Sequence, residues 1–274
     1  MTTGSSAASR NHTRVAEYRR TIAASLERVW ENVLDWEHLP FVHRASFLDI
    51  AVEDSGAWGW RARVGLPPAE KKSEILIELV IEQSAGRYVT RTLAGVGAGT
   101  EIWTQLEARS PEETDIVVEF RVPGVAPEAA DGLGRAYLEL YERLWNEDEN
   151  MMREREAALV AERPNRDPAP GRQSLGPLEA VRSSLPKVVR FQDTSLWIYE
   201  QAGALVAWSA RCPHRLGPLG EGTVNAGVVT CPWHGYRYDL ETGQGCDGRP
   251  LRLRPGPEIK IEDGEVWLMT RKGD

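Results

Sequence analysis

Apolar residues alternate with polar ones in five stretches of the first half of the chain. Leu48, Ile50 and Val52 alternate with Asp49 and Glu53. Trp58, Trp60, Ala62 and Val64 alternate with Gly59, Arg61 and Arg63. Ile75, Ile77, Leu79 and Ile81 alternate with Glu74, Glu78 and Glu82. Ile102, Thr104 and Leu106 alternate with Glu101, Gln105 and Glu107, and Ile116, Val118, Phe120 and Val122 with Asp115, Glu119 and Arg121. A period of two broken by turns predicts an antiparallel sheet with one wet face. Before the sheet, Ser25 is a good N-cap for a helix whose Val29, Val33 and Trp36 recur at helical spacing. After it, residues 127–162 read as one long helix with an apolar stripe of Leu133, Tyr137, Leu140, Leu144 and Met151. A curved sheet around one long helix encloses a cavity suited to an apolar ligand.

Three prolines and a glycine within 163–172 mark a linker. Beyond it, Val188, Trp197, Ile198, Leu205, Trp208, Val228 and Val229 mark short strands, and Asp263-Gly264 is a hairpin signal. The expected organisation is a disordered tail at 1–13, an α+β domain at 14–162, a linker at 163–175 and a small all-β domain at 176–274. Gly95-Val-Gly-Ala-Gly99 lies between two strands with no helix following, so it reads as a hairpin loop rather than a phosphate loop.

The 274 residues carry a net charge of −8, which argues against nucleic acid or an anionic membrane as partner. No apolar stretch approaches a membrane span, and the N-terminus lacks a signal peptide's apolar core. Three cysteines make no disulfide framework, so the expected compartment is the reducing cytoplasm.

Two constellations carry chemistry. Cys212 and His214 (C-P-H) are followed by Cys231 and His234 (C-P-W-H). Each loop offers one thiolate and one imidazole, which suits a [2Fe–2S] cluster with one iron on sulfur and the other on nitrogen, the Rieske arrangement. Structural zinc also takes Cys₂His₂, but zinc fingers pair their cysteines with each other. Cys246 reads as a small buried or turn residue. The second constellation is Asp35, His38 and His43. Asp35 and His38 are three apart and would share a helix face, and Pro40 would break that helix and swing His43 back towards His38. Two histidines and one carboxylate with open positions form the facial triad of non-haem Fe(II) oxygenases. Of Glu147, Asp148 and Glu149, only Asp148 has apolar helical neighbours throughout (Leu144, Trp145, Met151, Met152). A buried carboxylate is costly unless paired or metal-bound. Trp58, Trp60, Trp103, Phe120 and Tyr137 could line a pocket, and about half of them read as plain core.

The C-P-H-R and C-P-W-H-G strings resemble the Rieske domains of ring-hydroxylating oxygenases. The extra loop cysteines of respiratory Rieske proteins are missing here. Glu31–His43 resembles the iron-binding segment of the catalytic domains of Rieske non-haem iron oxygenases, and L-W-N-E-D-E-N-M-M resembles their late, aspartate-supplying helix. The resemblance implies a helix-grip (START-like, SRPBCC) catalytic domain holding mononuclear Fe(II) with His38, His43 and Asp148. It makes Asp35 the carboxylate between the two centres and Asn32 a nearby polar residue. It also implies O₂ as co-substrate, an apolar aromatic, alicyclic or terpenoid-like substrate, hydroxylation or oxidative demethylation, and a homo-oligomer. No nucleotide-binding signature occurs, so electrons would come from a separate NAD(P)H-dependent reductase or ferredoxin. The family normally places the Rieske domain first; here the order is reversed. The alternative is a ligand-binding helix-grip module fused to a Rieske electron carrier without catalytic iron.

Overall fold

The computed structural model describes residues 12–71, 73–161 and 171–270. Most of the 1–13 tail and the core of the 163–175 linker lie outside the described residues. The chain divides into two compact units at Arg153/Glu154.

In the first unit, strand β1 (His12–Ile22) precedes helix α1 (Leu26–Leu34) and helix α2 (Leu39–Val42). Strands β2 (Asp49–Gly56), β3 (Gly59–Leu66), β4 (Ser73–Glu82), β5 (Arg87–Ala94), β6 (Glu101–Ser110) and β7 (Glu113–Pro123) follow, then helix α3 (Pro127–Ala161). The seven strands form one sheet in the order β1-β7-β6-β5-β4-β3-β2, antiparallel throughout. This is the α+β helix-grip arrangement. The alternation does what it predicts on the central strands: Trp60, Ala62, Val64, Ile77, Leu79, Leu106, Ile116, Val118 and Phe120 are buried in one core.

Four expectations change. His12 and Thr13 belong to β1 rather than to a tail, and the His12 Nε2–H donates to Gly99 O at 2.9 Å. β2, one of the two edge strands, alternates in sequence but is exposed apart from Ile50, which packs against the core. Trp58 sits in the turn before β3. The stripe of α3 is rotated: Tyr137, Leu138, Tyr141, Trp145 and Met152 pack on the core. Gly134 sets how closely α3 approaches the sheet, since a Cβ there would stand 2.4 Å from Val15 O.

The second unit adds β8 (Arg172–Pro177), α4 (Leu178–Ser183), β9 (Lys187–Phe191), β10 (Thr194–Gln201), β11 (Ala204–Ser209), β12 (Thr223–Asn225), β13 (Val228–Thr230), β14 (Arg237–Asp239), β15 (Glu258–Glu262) and β16 (Glu265–Met269). They make three small sheets, β11-β10-β9, β12-β13-β14 and β15-β16-β8. The unit is all-β apart from α4 and the last turns of α3, and the latter move its boundary ahead of the expected linker. Arg155 Nη1 donates to Arg215 O at 3.0 Å within this unit. β8 also begins at Arg172, inside the expected linker; it has no local apolar pattern and is defined by its pairing with β16. The Asp263-Gly264 hairpin is present, with both residues at positive φ. No helix among the described residues is long and apolar enough to cross a membrane.

Candidate active site

The two histidines of the first unit are delivered by a broken helix. Ser25 Oγ caps α1 by accepting from Arg28 N, a cap typically worth about 1 kcal/mol. Val29 and Val33 anchor α1 in the core, and Trp60 Nε1 donates to Val33 O at 3.0 Å. α1 ends at Leu34. Asp35 is its C-cap with ψ 79, so Asp35 and His38 do not share a helix face as expected. Trp36–His38 instead form a 3-10 turn, and Pro40 lies in the first turn of α2 rather than breaking a helix. This tight double turn buries both histidine rings, 5.1 Å apart. Arg143 of α3 donates to Ser46 Oγ at 3.1 Å and ties the following loop to the helix.

Asp148 of α3 meets them. Its Oδ1 lies 3.3 Å from His38 Nε2 and 3.1 Å from His43 Nε2, and it accepts from Asn32 Nδ2 at 3.0 Å. One ligand atom from each of His38, His43 and Asp148 falls within 4.8 Å of the others. Adjacent ligands of an octahedral ion, each at roughly 2.1 Å, stand about 3 Å apart, so the donor set fits a single metal ion. Asp35 is buried and lines the same cavity.

The electrostatics fit a cation as well. Burial alone would raise the Asp148 pKa, but His43 and His38 outweigh it and hold the carboxyl well below the usual range. Burial depresses His43, yet Asp148 and Glu147 leave its pKa above the usual imidazole value. The sequence reading passed over Glu147. Its Oε2 accepts from His43 Nδ1–H at 2.7 Å, which leaves Nε2 of the neutral ring as the nitrogen available to a metal. The only sequence signal for it is adjacency to Asp148. His38 Nδ1 is buried without a hydrogen-bond partner among the described residues.

A cavity of about 130 Å³ opens beside the triad. Trp60, Phe47, Leu79 and Leu144 supply apolar wall, and Tyr88 and Tyr141 supply phenols. Of the five aromatics weighed for a pocket, Trp60 lines it. Phe120 and Tyr137 stack in the core, and Trp103 lies between the Arg87 and Arg121 guanidiniums.

In the second unit, two loops repeat one backbone pattern. Cys212 N–H donates to Gly217 O and Leu216 N–H returns to Cys212 O; Cys231 N–H donates to Tyr236 O and Gly235 N–H returns to Cys231 O. The fifth residue of each loop, Leu216 or Gly235, has φ above 60°. Both thiols are buried, and the His214 and His234 rings lie 4.6 Å apart. A hydrogen bond from Cys231 lowers the Cys212 pKa to about 7 against the effect of burial, with Tyr238 O–H, 3.2 Å away, adding to it. The same pairing raises Cys231. Two adjacent thiols, one readily ionised, and two facing imidazoles suit a cluster with one sulfur-bound and one nitrogen-bound iron. Cys246 is exposed.

Residues 172–253 match the Rieske [2Fe-2S] domain family. The chain is 38% identical over 94 residues to 4beta-methylsterol monooxygenase of Methylococcus capsulatus, covering 30% of this chain and 25% of that protein. It is 28% identical over 90 residues to Ferredoxin CarAc of Metapseudomonas resinovorans, covering 32% of this chain and 83% of the ferredoxin. The chain thus spans a quarter of the monooxygenase. Among solved structures, Zhui aromatase/cyclase from Streptomyces sp. R1128 is similar with a TM-score of 0.45 and 16% identity, over 54% of this chain and 97% of that one.

Proposed function

We propose that the chain is the oxygenase component of a Rieske-type non-haem iron system. Its Rieske domain is that of an electron carrier, and relatives of that part include both a monooxygenase and a ferredoxin. The observation that carries the oxygenase reading is the meeting of His38, His43 and Asp148 in the other unit.

In this reading His38 Nε2, His43 Nε2 and Asp148 Oδ1 hold the mononuclear iron, and Cys212, His214, Cys231 and His234 hold the cluster. The bound groups supply single electrons and O₂ activation, the chemistry of hydroxylation or oxidative demethylation. Asn32 keeps Asp148 turned towards the histidines. Glu147 fixes the His43 tautomer. The apolar wall excludes water and takes the ring or chain of the substrate. Asp35, buried beside the triad, is the carboxylate assigned by resemblance to the path between the two centres. The partners are O₂, an apolar small molecule and a separate NAD(P)H-linked reductase or ferredoxin, in a cytoplasmic homo-oligomer whose domain order is reversed relative to the family.

Iron content tests this. Purified protein should carry about three irons per chain, two in the cluster and one at the triad. Asp148→Ala should lose the third and keep the cluster's visible spectrum. Two irons in the unsubstituted protein would favour a ligand-binding module fused to an electron carrier. An Asp148→Ala protein that keeps all its iron would overturn the ligand assignment.

A further inference from the structure

Most polar groups on the cavity wall are already engaged. Trp60 Nε1 is bonded to Val33 O, Asn32 Nδ2 to Asp148, and both nitrogens of His43 to carboxylates. The phenols of Tyr88 and Tyr141 also line the cavity. They come from different elements, one from β5 and the other from α3. Thr104, the cross-strand partner of Tyr88, is 1% exposed, and its Oγ1 has no hydrogen-bond partner. It lies close enough to the Tyr88 phenol to influence its ionisation.

Size narrows the ligand further. About 130 Å³ is close to the engineered 150 Å³ cavity that holds benzene. One six-membered ring with a short substituent fills such a space.

We propose that Tyr88 and Tyr141 donate hydrogen bonds to an acceptor oxygen on a one-ring substrate, a cyclic ketone, phenol or similarly oxygenated ring, and so orient that ring beside His38, His43 and Asp148. The word substrate rests on the oxygenase reading; the binding geometry does not. A phenol is a protonated donor at neutral pH, and burial raises both phenol pKa values further. A site built to bond an oxygen discriminates strongly against a ligand that lacks one, because its own donors are then left unpaired.

The test is ligand-observed NMR or calorimetric titration of the full-length protein with cyclohexanone and its hydrocarbon isostere methylenecyclohexane. The unsubstituted protein should prefer the ketone by tenfold or more. Tyr88→Phe and Tyr141→Phe should each weaken ketone binding two- to tenfold. The double variant should bind ketone and hydrocarbon alike, and unchanged hydrocarbon affinity would report an intact cavity. Equal affinity for the two ligands in the unsubstituted protein, or a ketone preference that survives in the double variant, overturns the proposal. Cholesterol binding as tight as that of cyclohexanone overturns the size limit. Iron counted on the same samples judges the oxygenase reading separately, so the two can fail independently.

Discussion

His43 shows how a single residue's role depends on partners far away in sequence. Its Nδ1 side is held by Glu147 and its Nε2 side faces Asp148, both more than one hundred positions along the chain. Removing a carboxylate that orients a metal-bound histidine typically costs 10–100-fold in metal affinity. Glu147→Ala should therefore weaken retention of the third iron by that factor in chelator competition, and Glu147→Gln, which keeps an acceptor, should recover part of it. Gly217 is a second case. Its Cβ would stand 2.9 Å from Cys231 Sγ and 3.1 Å from the Trp233 ring. Gly217→Ala should overpack the loop by about 1–3 kcal/mol and lower cluster absorbance per chain, with the secondary structure seen by circular dichroism retained. The spacing of Cys212, His214, Cys231 and His234 was legible because each loop is local. The part of Glu147 was not, because its contact with His43 is made across the fold and leaves no local pattern.

At the scale of elements, local patterning identified β3, β4, β6, β7 and α3, where one face is buried and the period shows. β1, β5 and β8 went unrecognised, because each is defined mainly by its pairing with other strands. The break after α1 was misjudged for a related reason. Pro40 is compatible with either ending or starting a helix, and the contacts of Val33 and Trp60 show where α1 stops. The wet face of the sheet carries a ladder of charges. On β7, the Arg121 guanidinium bonds Glu119 at 2.5 Å and lowers its pKa below the ordinary glutamate value, with Arg14 contributing. A depressed carboxyl contributes stability above its unfolded pKa and loses it as pH falls through the folded value. Glu119→Gln should thus cost up to about 1 kcal/mol near neutral pH, solvent screening included. In urea unfolding the gap between the two proteins should close as pH drops below about 4.3. A gap that persists at pH 3 would show that the charge pairing is not its source.

At the scale of the whole molecule, each proposed ligand set lies within one compact unit. The centres should then be separable by mutation. Cys231→Ser should bleach the Rieske absorbance and remove about two irons while the third stays, the mirror image of Asp148→Ala. Loss of all three would mean that the first unit cannot hold its iron without the cluster. The sequence by itself determined the two-domain order, the cluster motif and the candidates His38, His43 and Asp148, because short spacings and periodicities survive in one dimension. Only the tertiary structure decided that His38 and His43 reach one oxygen of Asp148, that Glu147 stands behind His43, and that Tyr88 and Tyr141 line the cavity beside them. Those are distances between residues far apart in the chain, and such distances are set by the packing of α3 on the sheet.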